Sequence, residues 1–179
     1  MILLQTDRLI LRNLTEADAA VMFEYRNDPR CARYQRGQHK ARNQIEHLIE
    51  RRKNDVLSAD DGCMMGLALK ETGELVGEMV VMPSGSSFSL GYTVHYRHHR
   101  KGYASEALSA LVDSLHEQFP QREILCFVDP KNEASRGLLR KLQFEEVGYL
   151  PAMESVLFGK WVYPETREDV FRIQEQYEK

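Results

Sequence analysis

The chain has 179 residues, of which 42% are hydrophobic and 28% are charged, and its formal net charge is −3. That length suits one sizeable core and is too short for two ordinary domains, so we expect a single domain over residues 1–179. The slightly acidic balance gives no global attraction to nucleic acid or to an anionic membrane. Three widely spaced cysteines, Cys31, Cys63 and Cys126, argue against a disulfide framework or a zinc module and favour a reducing compartment.

The start of the chain lacks the basic segment and long apolar stretch of a secretory signal. No apolar run approaches membrane-spanning length. We therefore expect a cytoplasmic protein that has neither a membrane nor nucleic acid as its partner.

In the first third of the chain we predict a strand over Arg8–Arg12 and helices over Thr15–Asn27 and Asn43–Val56. A polar loop over Cys31–Arg42 should separate the two helices. Thr15, followed by acidic residues, is a typical helix cap, and Asp28-Pro29 should end that helix. Ile45, Leu48 and Ile49 share one face of the second helix.

The middle of the chain predicts an antiparallel meander, with strands over Cys63–Lys70, Leu75–Met82 and Phe88–His95 and turns at Glu71–Glu74 and Pro83–Ser87. Apolar residues from Ala104 then recur at helical spacing. The elements that follow are a strand over Glu123–Val128, a helix over Asn132–Leu142, strands over Phe144–Leu150 and Ser155–Val162, and a charged helix from Thr166. Ala134, Leu138 and Leu142 should form the inner face of the helix over Asn132–Leu142. The alternation of strand and helix predicts a parallel pair with a right-handed crossover.

A basic loop, His95–Lys101, separates the third strand of the meander from the helix that begins near Gly102. The first N–H groups of a helix lack intrahelical partners and carry partial positive charge, so they favour anions. Gly102 has no side chain to keep a phosphate from the backbone, and Arg100 and Lys101 add positive charge. The pattern indicates a diphosphate cradle, with a solvated basic loop before an ordinary helix as the alternative.

Three motifs carry a family resemblance. Gly91-Tyr92-Thr93-Val94-His95, continued by Arg100–Ala107, resembles the G-Y-x-(apolar)-H and R/Q-x-x-G-x-G/A acetyl-CoA-binding motif of GNAT N-acetyltransferases. Asp129–Arg136 with Leu142-Gln143-Phe144 resembles the family's N-x-x-S helix and its trailing L-G-F. Thr6–Arg12 resembles the T-x-R-L-x-L-R opening of the RimJ/RimL-like branch, which acts on ribosomal proteins.

The resemblance implies a mixed α/β, GNAT-like fold of about seven mostly antiparallel strands with helices on both faces. Its central parallel pair, the strands from Phe88 and Glu123, should splay apart near Val94. The implied reaction transfers an acetyl group from acetyl-CoA to a primary amine by direct attack in a ternary complex, without a metal. The acceptor stays open between a protein N-terminus, ribosomal or other, a polyamine and an aminoglycoside. A homodimer is left open as well.

The resemblance also implies roles for particular residues. Those expected to bind the donor are Val94, His99, Arg100, Lys101, Gly102, Tyr103, Ala104 and Asn132. The Val94 N–H would bind the oxyanion, and Ser135 would donate to the leaving thiolate. Glu78 is the candidate general base. The alternatives are a local capping role for Ser135, and a solvent-facing Glu78 with deprotonation by water.

Several positions depart from the family pattern. His99 stands at the R/Q position, Arg100 and Gln143 stand where glycine is common, and Ser89 replaces a frequent glutamate. These departures leave a non-catalytic acyl-CoA-binding or regulatory protein as the alternative function. His95, His98 and His99 have no acid or cysteine pair at ligand spacing, so we expect no metal site.

Overall fold

The computed structural model describes residues 1–177. The strands are β1 (Ile2–Gln5), β2 (Leu9–Arg12), β3 (Cys63–Leu69), β4 (Leu75–Ser84), β5 (Ser87–Val94), β6 (Glu123–Val128), β7 (Glu145–Leu150) and β8 (Ser155–Lys160). The helices are α1 (Ala19–Asn27), α2 (Pro29–Ala32), α3 (Arg42–Arg52), α4 (Tyr103–Gln118), α5 (Glu133–Lys141) and α6 (Pro164–Tyr177). Within residues 1–177, no helix combines the length and the apolar character needed to cross a membrane.

The strands are hydrogen-bonded neighbours in the order β1-β2-β3-β4-β5-β6-β8-β7. β5 and β6 pair in parallel, whereas the pairs β1–β2, β2–β3, β3–β4, β6–β8 and β7–β8 are antiparallel. The predicted mixed α/β fold, with a mostly antiparallel sheet and one parallel pair, is confirmed. The expected seven strands become eight because Ile2–Gln5 pairs with β2.

The chain forms two compact units. The first comprises Met1–Val81 with Tyr92–Leu111, and the second comprises Met82–Gly91 with the residues from Val112 onward. Three elements, β4, β5 and α4, contribute residues to both units.

The core of the first unit lies between α1, α3 and the strands β3 and β4. Its buried members are Leu14, Ala19, Met22, Tyr25, Cys31, Ile45, Ile49, Met64 and Leu75. The predicted apolar face of α3 is confirmed, because Ile45 and Ile49 are buried and Leu48 packs against the same cluster. Their spacing of three and four residues places them on one side of the helix.

The parallel pair belongs to the second unit. Its register runs Ser87–Glu123, Phe88–Ile124 and Ser89–Leu125. The Phe88 ring is fully buried and meets the Phe119 ring edge-on, with centroids 5.3 Å apart. The predicted pairing of the strands from Phe88 and Glu123 is therefore confirmed.

The start of the first helix differs from the prediction. Residues Glu16–Asp18 form a 3-10 turn before α1, and the Asp18 carboxylate accepts the Thr15 N–H at 2.7 Å. Pro29 ends α1 as expected but also begins α2, since the Asp28 carboxylate accepts the Arg30 N–H at 2.9 Å. Proline suits the first helical position because its missing N–H has no partner to lose there. The predicted loop therefore begins only after Ala32.

The inner face predicted for α5 was partly wrong. Ala134 is exposed, Leu138 and Leu142 are partly buried, and the fully buried residue is Leu139. Glu133 and Ala134 at the start of α5 are exposed, so the apolar periodicity was extended one turn too far toward the N-terminus.

Gln143 ends α5 in a left-handed conformation, with φ of +61°. Its N–H donates to the Arg140 carbonyl and the Phe144 N–H donates to the Leu139 carbonyl, both at 3.0 Å. These two bonds form a Schellman motif, which favours glycine at the left-handed position. The left-handed backbone thus explains the glycine of the family's L-G-F pattern. In this chain Gln143 adopts the same conformation with strain.

We predict that Gln143→Gly stabilises the protein. Relief of the left-handed conformation is worth about 1–2 kcal/mol, and the extra freedom of glycine in the unfolded chain offsets roughly 0.5–1 kcal/mol of it. Denaturant unfolding should show the gain for Gln143→Gly and none for Gln143→Ala. An equal gain from alanine would assign the effect to the glutamine side chain instead of to the backbone.

Candidate active site

Side chains bond the carbonyl groups at the end of β5. Gln35 Nε2 donates to the Tyr92 carbonyl at 3.1 Å, and His99 Nε2 and Cys31 Sγ donate to the Val94 carbonyl at 2.8 and 3.4 Å. Burial raises the pKa of the Cys31 thiol to about 11, which keeps it protonated as a donor. His99 must carry a proton on Nε2 in this arrangement. His99 therefore joins the loop after β5 to the end of the strand itself.

The loop before α4 contains two left-handed residues, Arg100 with φ of +61° and Gly102 with φ of +83°. Arg100 occupies a position where the family often has glycine. The left-handed backbone at this position explains that preference, because glycine adopts it freely. The first turn of α4 closes with the Glu106 N–H bonded to the Gly102 carbonyl at 3.0 Å. By helix geometry, the N–H groups of Tyr103 and Ala104 have no partner within α4 and are available to an anion.

Gly102 fits a close approach of a ligand to the backbone. A Cβ at this position would lie 3.2 Å from Arg8 Nη2 and would stand in a conformation that side chains avoid. Arg100, Lys101 and Gly102 are all exposed. The loop can therefore offer backbone N–H groups and two cationic side chains to a diphosphate, as the cradle interpretation requires.

The beginning of the chain anchors this loop through Glu106. Thr6 Oγ1 and the Arg8 N–H donate to Glu106 Oε1 at 2.5 and 2.9 Å, and Arg8 Nε donates to Oε2 at 2.7 Å. Arg8 Nη1 also donates to the Lys101 carbonyl at 2.9 Å. We call the set of Thr6, Arg8, Glu106 and the Lys101 carbonyl the Glu106 clasp. Sequence reasoning recognised the T-x-R opening but missed its partner, although an acid in the first turn of α4 was a usable signal.

The histidines of the loop have structural partners. His95 is buried, and burial lowers its pKa despite the nearby Glu24 carboxylate, whose Oε1 lies 3.6 Å from His95 Nε2. His98 bonds Glu74 Oε1 through Nε2 at 3.1 Å, and Lys101 Nζ lies 3.3 Å from its Nδ1. Over residues 1–177, no group of three or more His, Cys, Asp and Glu side chains is placed to hold a metal ion.

Glu78 is buried, with 3% of its surface exposed, so the solvent-facing alternative was wrong. Its carboxylate accepts from Tyr25 Oη at 2.5 Å, from Arg26 Nη2 at 2.7 Å and Nε at 3.2 Å, and from Gln38 Nε2 at 3.2 Å. Burial, together with the Glu78 charge, raises the pKa of Tyr25 well above its ordinary value. A proton taken up by Glu78 would leave the buried Arg26 guanidinium without its counter-charge.

Gln38 connects this buried network to β5. Its Nε2 also lies 3.3 Å from Thr93 Oγ1, whereas its Oε1 is buried and has no hydrogen-bond partner among the described residues. Exchanging the two amide atoms would turn Oε1 toward the Glu78 carboxylate, so the contacts favour the orientation in which Nε2 faces Glu78. Gln35 and Gln38 together hold the loop that follows α2 against the end of β5.

Asn132 and Ser135 lie in the second unit. Asn132 is the N-cap of α5, and its Oδ1 accepts the Ser135 N–H at 3.2 Å. The N-x-x-S spacing thus has a local structural reason, because an N-cap side chain bonds the N–H three residues later. The capping role belongs to the Asn132 side chain, and Ser135 is half-buried. The catalytic role of the Ser135 hydroxyl stays a prediction.

The Glu106 clasp predicts a pH dependence of stability. Burial opposes ionisation of Glu106, but the bonds from Thr6 and Arg8 outweigh it and lower its pKa. A carboxylate with a lowered pKa in the folded state stabilises the fold above its ordinary pKa and loses that effect as pH falls through the folded value. The Tm difference between wild type and Glu106→Gln should therefore be full at neutral pH and shrink in acid. Glu117→Gln, on an exposed part of α4, serves as the control, and a pH-independent difference for Glu106→Gln would contradict the prediction.

Known proteins resemble this chain in sequence and in fold. Residues 8–145 match the family model of the acetyltransferase (GNAT) domain. The uncharacterized N-acetyltransferase p20 of Bacillus licheniformis is 30% identical over 156 residues, which cover 82% of this chain and 84% of that protein.

Solved structures share the fold at lower identity. A GNAT-family acetyltransferase from Bacillus anthracis superposes with a TM-score of 0.76 and 18% identity over 90% of this chain and 99% of that one. RimL, a ribosomal L7/L12 alpha-N-protein acetyltransferase solved in complex with coenzyme A, gives a TM-score of 0.69 and 13% identity over 89% and 97%. The chain therefore belongs to the GNAT family and is an acetyltransferase.

Proposed function

We propose that this chain, as one domain over residues 1–179, transfers an acetyl group from acetyl-CoA to a primary amine by direct attack in a ternary complex. The observation that carries the proposal is the loop between β5 and α4. It exposes backbone N–H groups at a left-handed glycine, Gly102, and is held there by the Glu106 clasp. The family to which the chain belongs supports acetyl-CoA as the donor.

Donor binding would use the start of α4. The N–H groups of Gly102, Tyr103 and Ala104 would receive the diphosphate, with Arg100 and Lys101 adding positive charge. His99 contributes differently from the arginine or glutamine common in the family. Its Nε2 is bonded to the Val94 carbonyl, so it would connect the diphosphate loop with the place where the thioester reacts.

The chemistry forms a carbon–nitrogen bond and breaks a carbon–sulfur bond. A neutral amine attacks the thioester carbonyl, and the Val94 N–H would bind the oxyanion of the tetrahedral intermediate. Collapse of that intermediate expels the CoA thiolate, to which Ser135 would donate a hydrogen bond. Asn132, which orders the first turn of α5, would hold the Ser135 backbone in place.

The amine must lose one proton during the reaction. Glu78 was the predicted base, but its carboxylate already accepts four hydrogen bonds and neutralises the buried Arg26. We therefore propose that water takes the proton, and that Glu78 acts as a positioning residue through Gln38, which contacts Thr93 beside Val94.

The acceptor would be a peptide N-terminus or a small amine. The Thr6–Arg12 opening resembles the RimJ/RimL-like branch and favours a peptide. The test is a screen of peptides, polyamines and aminoglycosides that measures release of free CoA thiol from acetyl-CoA. We expect at least one acceptor class to be turned over. Binding of acetyl-CoA without turnover of any amine would instead support the non-catalytic alternative.

A matched pair of variants tests the cradle by its affinity for CoA. Gly102→Val places a β-branched side chain at φ of +83°, so the variant loses stability as well as donor affinity. Gly73→Val introduces a similar strain at φ of +73° in the turn between β3 and β4. Only Gly102→Val should raise the Kd for CoA, measured by calorimetry below both melting transitions. An equal affinity in the two variants would remove the cradle from the proposal.

Ser135→Ala separates catalysis from helix stability. If the hydroxyl assists the leaving thiolate, kcat and kcat/KM fall together while the KM for acetyl-CoA changes little. The loss should lie at or below the lower end of the about 10²–10⁴-fold range for general-acid assistance, because serine is a weak acid. Initial rates and thermal unfolding, both measured on Ser135→Ala, distinguish the catalytic role from the structural one. Normal turnover with a lowered Tm would make Ser135 structural.

A further inference from the structure

Gly77 on β4 lies directly beneath the Thr93–Val94 peptide of β5. A Cβ at Gly77 would lie 2.3 Å from the Thr93 carbonyl oxygen, 3.0 Å from Val94 Cα and 3.3 Å from the Thr93 carbonyl carbon. All three are backbone atoms, which cannot turn aside as the end of a side chain can. In a regular ladder the neighbouring strand runs beside a residue, and Cβ points away from the sheet. The Thr93–Val94 peptide therefore passes over Gly77 instead of running beside it.

The chain bonds β4 again directly after this peptide. One residue later the His95 N–H donates to the Val76 carbonyl at 2.8 Å, so the chain has returned to bond β4. On the other edge of β4, Gly77 pairs with Leu67 of β3, and the register shifts between this pair and the next one, Ala68–Leu75, so β4 is itself irregular beside Gly77.

The geometry of the peptide decides where its N–H points. The Thr93 carbonyl and the Val94 N–H belong to one planar unit, and the described part of the chain contains no cis peptide bond. In a trans peptide these two groups point in opposite directions. Since the carbonyl oxygen lies against Gly77, the Val94 N–H is directed away from β4.

We infer that Gly77 is a positioning residue for acetyl transfer. Its missing side chain lets the Thr93 carbonyl lie against β4, which turns the Val94 N–H outward as a donor to the oxyanion. The inference rests on the proposed function, in which the Val94 N–H is that donor. Any side chain at Gly77 would push the peptide back and rotate the N–H.

The test compares three glycine-to-alanine variants by steady-state kinetics with the best acceptor from the screen. Gly77→Ala should lower kcat by up to the roughly 10²–10³-fold measured when an oxyanion donor is lost, with the KM for acetyl-CoA nearly unchanged. Gly137→Ala, at an exposed position of α5, adds a Cβ that meets nothing within 4 Å and should behave as wild type. Gly66→Ala on β3 crowds the Leu75 and Leu14 side chains at 2.7 and 2.9 Å, so it should lower Tm but keep kcat.

A second measurement uses the unmodified protein, so the inference stays testable if Gly77→Ala does not fold. Amide hydrogen exchange should be faster at Val94 than at His95, because the Val94 N–H faces away from β4 while the His95 N–H bonds Val76. Equal protection of the two amides would overturn the inference. So would a folded Gly77→Ala enzyme with wild-type kcat, and both results leave the proposed function standing. A wild-type protein that acetylates no amine rejects the proposed function itself.

Discussion

The ion pair between Arg8 and Glu106 supports the arrangement of the loop that precedes α4. The Glu106 carboxylate receives three hydrogen bonds from Thr6 and Arg8, and Arg8 uses a further donor on the Lys101 carbonyl. A bond to that carbonyl constrains the peptide that also contains the Gly102 N–H, because the two groups share one plane. The residues that open the chain thus orient a backbone donor far away in sequence. An exposed ion pair contributes little stability by itself, so the value of this one lies in the orientation of the loop.

A second polar network lies beneath the end of β5. Glu78 and Arg26 are each only 2–3% exposed and pair at 2.7 Å. Taking both charges out of water costs several kcal/mol, which the pair recovers only with good geometry and additional hydrogen bonds. Tyr25 and Gln38 supply those bonds. The network keeps Gln38 in contact with Thr93, so a costly buried pair acts on the strand that carries the proposed oxyanion donor.

Backbone strain occurs at two of the positions where this chain departs from its family. Arg100 and Gln143 both have φ of +61°, a conformation that glycine adopts freely and other residues adopt at a cost of about 1–2 kcal/mol. Glycine is common at both places in the family, so the fold requires the left-handed backbone whichever residue is present. At Arg100 the strained residue places a positive charge beside the proposed diphosphate cradle. At Gln143 the strained residue contributes no comparable charge or contact to the proposed site. Gly77 shows a different case, in which the close approach of the Thr93–Val94 backbone excludes a side chain.

The sequence by itself determined the elements and the order of the motifs. Helical spacing from Ala104 and the alternation of strand and helix depend on residues close together in the chain, and these predictions agree with the structure. The glycine and histidine patterns around Val94 are equally local, and the donor-binding roles they indicate stay a prediction. Only the tertiary structure decided which groups the acidic side chains of the site bond. Glu78 appeared as a strand residue of uncertain face, yet its carboxylate binds groups 40 to 53 residues away, and Glu106 binds residues 98 to 100 positions away. The physical reason is that periodicity and turn propensity are local, whereas the hydrogen bonds of these two carboxylates depend on which helices, strands and loops the fold brings together.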